Sequence, residues 1–175
     1  MELKSRHHLW RLLRQWEAAD KVAQHALQRA LDSITRLEYL SDENLGLLGT
    51  AALNKEALSF AKGKLQRDYT AAFDDLTKMQ AEMESLLISM EDETELKVMK
   101  GHKDLWQEAR PLLRAEMSLR KSLLESLPLL DASDEERQRL WLLWTERTWC
   151  GGTDEADLLP RLSEALNPDG EKKKA

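Results

Sequence analysis

The chain has 175 residues, 33% of them charged, with a net charge of −6 and one cysteine. A footprint on duplex nucleic acid must be basic, so this balance argues against direct nucleic-acid binding. A single cysteine forms no internal disulfide and fits a reducing compartment. No run approaches the ~18 uninterrupted apolar residues of a membrane span. The first residues carry Lys4, Arg6, His7 and His8 rather than an apolar core, so no signal peptide is expected.

Leu9, Leu13, Trp16, Ala23, Leu27, Ala30, Ile34 and Leu37 fall on one stripe of a helix, which the spacing predicts over 5–40. Ser41-Asp42-Glu43-Asn44 supplies turn chemistry, and Thr50 is placed to cap the second helix. A second stripe runs through Leu58, Ala61, Leu65, Tyr69, Ala72, Leu76, Met79, Met83, Leu86 and Met90, predicting that helix over 51–90. Gly63 lies inside it at a cost of ~1 kcal/mol relative to Ala.

The acidic run Glu91-Asp92-Glu93-Thr94-Glu95 and Gly101 read as a connection over 91–103. A third helix opens at Asp104, and Pro111 within it should restart or kink it, because proline lacks a backbone donor. Ser133 through Glu136 form a capping box for a fourth helix over 134–149, which Gly151-Gly152 closes. Thr153 begins a last short helix carrying Leu158, Leu159, Leu162 and Leu166. No strand pattern and no internal repeat is visible.

The expected fold is all-α: an elongated antiparallel helical hairpin or bundle of four to five helices with coiled-coil-like packing. One domain spans 1–166, with the hairpin over 5–92 and C-terminal helices over 104–166; 167–175 is a polar tail expected to be disordered. Across the hairpin seam, Leu9, Leu13, Trp16, Leu27 and Ile34 should meet Leu65, Leu76, Met79, Met83 and Leu86.

Signatures of chemistry are missing. Neither His25 nor His102 has a Glu three residues before it, as a bundle-type carboxylate metal site would need. There is no zinc-protease motif, P-loop, dinucleotide fingerprint or nucleophile elbow. Cys150 has no base assigned by any sequence pattern. The chain is therefore read as having no catalytic residues, no cofactor and no metal.

The tryptophans point elsewhere. Six Trp stand against two Phe and two Tyr. Leu140 to Trp144 make the fourth helix apolar almost all round, so it must be sandwiched centrally or covered by a partner. Trp buries much area for little lost rotamer freedom and dominates many interfaces. Trp10, Trp141, Trp144 and Trp149 are the partner-binding candidates, with the alternative that Trp141, Trp144 and Trp149 complete the chain's own core.

Two stretches, His8-Leu-Trp-Arg-Leu-Leu-Arg-Gln-Trp-Glu17 and Phe73-Asp-Asp-Leu-Thr-Lys-Met-Gln-Ala-Glu-Met-Glu-Ser-Leu86, resemble the cyclin-dependent kinase 2-interacting protein family. The Arg114–Leu124 helix and the Leu140–Trp144 block are similar in placement to later segments of that family. The resemblance covers most of residues 7–150. It implies a non-catalytic adaptor in the nucleus, with the cytoplasm as a second compartment. It also implies protein partners: a cyclin-dependent kinase in DNA replication and the cell cycle, the partner of a checkpoint kinase, and an assembly of AAA-type ATPases serving ribosome maturation. Two other readings are a cofactor-binding bundle, for which Asp20 is the one charged residue on the first stripe, and a coiled-coil tether or kinetochore-type subunit with an obligate helical partner.

Overall fold

The structure is a computed structural model that describes residues 2–41, 55–95, 103–126, 129–147 and 158–167. Among these residues there are five helices and no strand: α1 (Glu2–Tyr39), α2 (Lys55–Glu95), α3 (Lys103–Ser126), α4 (Asp134–Thr145) and α5 (Leu158–Leu166). The expected all-α bundle is what forms.

The long helices make the hairpin. At 1.5 Å per residue the 38-residue α1 spans ~57 Å and the 41-residue α2 ~62 Å. Arg29 donates to Asp75 at 2.6 Å, and Arg36 shares a groove with Asp68, so the two helices run antiparallel. Small Ala19, Ala23, Ala26 and Ala30 alternate with Leu27 and Ile34 on the buried face of α1, allowing close approach of the partner backbone. From α2, Ala72, Leu76, Met83, Leu87 and Met90 fill the other side.

The remaining helices cover the hairpin. α3 lies antiparallel to α2: buried Gln80 donates to the Met117 carbonyl at 3.2 Å, and Glu91 receives Arg110 (3.1 Å) and Arg114 (2.6 Å). α4 lies antiparallel to α1, with Arg137 bonded to Glu38 at one end and Arg147 to Asp20 at the other. α5 packs on both α1 and α3 and contributes Leu158, Leu159, Leu162 and Leu166 to the core. Its Pro160 sits in the first turn, where the missing N–H has no intrahelical acceptor to lose.

Several boundaries differ from expectation for identifiable reasons. The acidic run over 91–95 does not break α2, because Arg110 and Arg114 neutralise Glu91 and the helix continues to Glu95. Pro111 does not divide α3 into two helices; it is exposed, and the helix runs unbroken from Lys103 to Ser126. α4 stops at Thr145, where the Glu146 N–H bonds the Leu142 carbonyl at 2.9 Å and Arg147 turns to φ 48°. The Gly151-Gly152 cap, the Thr153 start and the 167–175 tail fall wholly or mainly outside the described residues.

The seam is shorter than the stripe of α2 suggests. Leu9, Leu13, Trp16, Leu27, Ile34, Leu76 and Met83 are buried, while Met79 and Leu86 are half-buried against the core. Leu65 is only half-buried and stands outside the buried cluster. The Arg29–Asp75 pairing places residue 65 level with Tyr39, the last of α1, so earlier residues of α2 lie beyond the end of that helix. Accordingly Phe60 is 70% exposed and Tyr39 68%.

Candidate docking site

The site is built on α4. The Ser133 hydroxyl accepts the Glu136 N–H (3.3 Å) while the Glu136 carboxylate accepts the Ser133 N–H (2.8 Å). That reciprocal box fixes where the helix starts and satisfies two backbone donors. The backbone donor of Ser133 also holds the Glu136 carboxyl below its ordinary range. One turn on, Arg137 donates to the Ala132 carbonyl (2.9 Å), to Glu38 (2.6 Å) and to Asp134 (2.6 Å), tying α4 to the end of α1.

The other end of α4 is held by a buried ionic network. Arg120 of α3 reaches Asp20 of α1, bonds Glu116 at 2.8 Å and donates to the Trp144 carbonyl at 3.1 Å. Its guanidinium lies 4.9 Å from the centre of the Trp144 ring, a cation–π contact in a site without water access. Asp20 also receives Arg147 at 2.7 Å and Gln24 at 3.1 Å. Arg147, directly after the C-cap Glu146, has the left-handed backbone common where helices end, at a cost of ~1–2 kcal/mol for a non-glycine residue, and its side chain reaches Asp20. Two carboxylates and two guanidiniums thus join α1, α3 and the end of α4.

Held at both ends, α4 presents its faces unequally. Leu140 and Trp144 are buried, Trp141 and Leu143 half-buried, and Leu142 is 52% exposed. Between α4 and α1 runs an open groove of about 560 Å³, lined among others by Gln28, Asp32 and Thr35 from α1 and Asp134, Trp141 and Leu142 from α4.

The partner-binding candidates separate. Trp141 lines this groove. Trp144, a partner-binding candidate with a core position as the alternative, takes the core position: it is fully buried beneath Arg120. Trp10 lies 18 residues before Gln28, ~27 Å away along α1, half-buried, stacked on His7 and with Arg14 over its ring. Trp149 lies outside the described residues. Sequence reasoning missed the partners of Asp20, although a carboxylate on an apolar stripe is itself the signal that a buried cation must exist.

Among the described residues no group of three or more His, Cys, Asp or Glu side chains forms a metal-ligating set, and no helix is long and apolar enough to cross a membrane. Comparison with known proteins yields no family model, no curated protein and no solved structure that matches the chain.

Proposed function

We propose that this chain is a non-catalytic helical adaptor subunit of a nuclear multiprotein assembly, and that it docks a partner through the groove between α1 and α4. The observation that supports this reading is Leu142: a large apolar side chain, half exposed, beside Trp141 in an open groove whose walls are rigidly fixed at both ends. Aromatic and aliphatic anchors in a preformed cleft are the usual centre of a protein interface. The sequence resemblance to the cyclin-dependent kinase 2-interacting protein family supplies the candidate partners: a replication kinase, the partner of a checkpoint kinase, and AAA-type ATPases of ribosome maturation.

The test is affinity purification from nuclear extract with the wild-type chain and with Leu142→Asp. Recovery of AAA-type ATPase or kinase subunits by the wild type, lost with Leu142→Asp, supports the reading. Equal recovery by both, or none by either, overturns it.

A second reading is a coiled-coil tether with an obligate helical partner. Exposed Phe60 and Tyr39, where the start of α2 lies beyond the end of α1, favour it. Sedimentation of the isolated chain separates the two: a tether self-associates or aggregates alone, whereas an adaptor with its own core stays monomeric.

A further inference from the structure

We propose that Ser133 is a phosphorylation site for an acidic-directed serine/threonine protein kinase, and that the modification opens the capping box at the start of α4. The site is separate from the docking groove and does not depend on what occupies it.

The sequence carries the recognition chemistry. Ser133-Asp134-Glu135-Glu136 places a carboxylate at each of the three positions after the hydroxyl. Among the described residues no other serine or threonine is followed by three carboxylates in a row. A kinase whose substrate cleft is lined by Lys and Arg reads this pattern by charge complementarity and discriminates against neutral or basic flanks.

The structure makes this serine reachable. Ser133 and the three acidic residues are all exposed. The backbone at Ser133 is extended, at φ −67° and ψ 160°, between the turn over 129–131 and the first turn of α4. A kinase takes its acceptor in an extended conformation, so only that first turn must fray, and helix ends open at little cost. Ser89 has the next best flank, with Glu91 and Asp92 after it. It lies inside α2, its hydroxyl donates to the Ser85 carbonyl at 2.9 Å, and its neighbour Met90 is in the core. Presenting Ser89 would unwind packed helix.

In the transfer, the γ-phosphoryl group of ATP passes to Ser133 Oγ. Its bond to the β-phosphate breaks and ADP leaves, while the Oγ–P bond forms and the hydroxyl proton goes to the kinase's catalytic carboxylate. That proton is the one Ser133 donates to the Glu136 carboxylate at 2.8 Å. The product carries a charge of about −1.5 to −2 on the group that had held Glu136. Glu136 loses a donor and gains a repelling neighbour, so its side chain leaves the box. The backbone N–H groups of the first turn then face a phosphate, an anion that helix N-termini accept, and α4 stays helical.

The test incubates the full chain with ATP and a purified acidic-directed kinase and maps phosphate by mass spectrometry. Phosphate on Ser133 is expected, absent in Ser133→Ala, and about tenfold slower to enter Asp134→Asn/Glu135→Gln. Melting curves confirm that both variants fold. The same phosphate should be found on the chain recovered from cells under phosphatase inhibition. Its absence in either setting, phosphate on Ser89 instead, or an undiminished rate in the double variant overturns the site. The capping box has its own readout. The Ser133 backbone N–H first, and its hydroxyl second, hold the Glu136 carboxyl below its ordinary range. Carbon-13 NMR titration should find that carboxyl above its ordinary range once Ser133 is phosphorylated, and an unchanged titration overturns the opening of the box.

Discussion

Asp20 and Arg120, one hundred residues apart in sequence, meet as a hydrogen-bonded ion pair in which neither side chain touches solvent. Removing one partner from such a pair strands an uncompensated charge, which costs more than the intact pair contributes. Asp20→Ala should therefore destabilise the fold by about 3–5 kcal/mol in urea unfolding. The quadruple change Asp20→Leu, Glu116→Met, Arg120→Met and Arg147→Met should recover most of that loss, because it removes all four charges of the network together. A wild-type unfolding midpoint for Asp20→Ala would show that Asp20 is not buried against Arg120.

Glu91 carries a pH dependence of definite sign. The hydrogen bond from Arg114, helped by Arg110, outweighs burial and holds its carboxyl below the ordinary glutamate value of about 4.3. A depressed folded-state value means the ion pair stabilises the fold fully above the unfolded-state value, and that stability is lost as pH falls through the folded one. Glu91→Gln should thus melt lower than wild type at neutral pH, with the gap closing in acid below about pH 4. Thermal melts of both proteins across that range provide the measurement, and a gap that widens in acid contradicts the assignment.

Two residues weaken the long helices without a tertiary reason. Pro111 is exposed and interrupts the hydrogen-bond ladder of α3, while a Cβ at Gly63 would meet only the tip of Arg67 at 3.7 Å. Gly63→Ala should stabilise by about 0.5–1 kcal/mol. Pro111→Ala should stabilise by about 1–2 kcal/mol, the helix gain being offset in part by the freer unfolded chain. Urea midpoints decide both, and a loss of stability at Pro111→Ala would mean that proline shapes the packing of α3 on α2.

Neighbouring tryptophans should behave differently. Trp144→Ala opens a cavity beneath Arg120 and should cost about 3–5 kcal/mol. Trp141→Ala, at a half-buried groove position, should cost less and leave far-ultraviolet circular dichroism near wild type while partner recovery drops. Collapse of the Trp141→Ala protein in the same spectrum would make Trp141 a core residue.

Much of the architecture was legible because it is local. The stripe of α1, the capping box of α4 and the lack of strand patterning each depend on residues within a turn or two of one another, and backbone geometry ties such spacing to a helix wherever it sits. The same locality misled at residues 91–95, where an acidic run looked like a break. Nothing nearby in sequence announces Arg110 and Arg114, which neutralise Glu91 from another helix.

Periodicity names the face a helix must hide but not the register at which a second helix hides it. The buried face of α1 is apolar from Leu9 to Ile34, so spacing alone does not select one alignment of α2 along it. Only the folded arrangement, anchored where Arg29 meets Asp75, leaves Leu65 half-buried and Phe60 exposed. The split between Trp144 inside and Leu142 outside has the same cause: α4 is held about its own axis by Arg120 donating to the Trp144 carbonyl, by Arg147 reaching Asp20, and by Arg137 reaching Glu38. Apolar spacing along the chain chose the helices; charges meeting between helices distant in sequence chose which way each one faces.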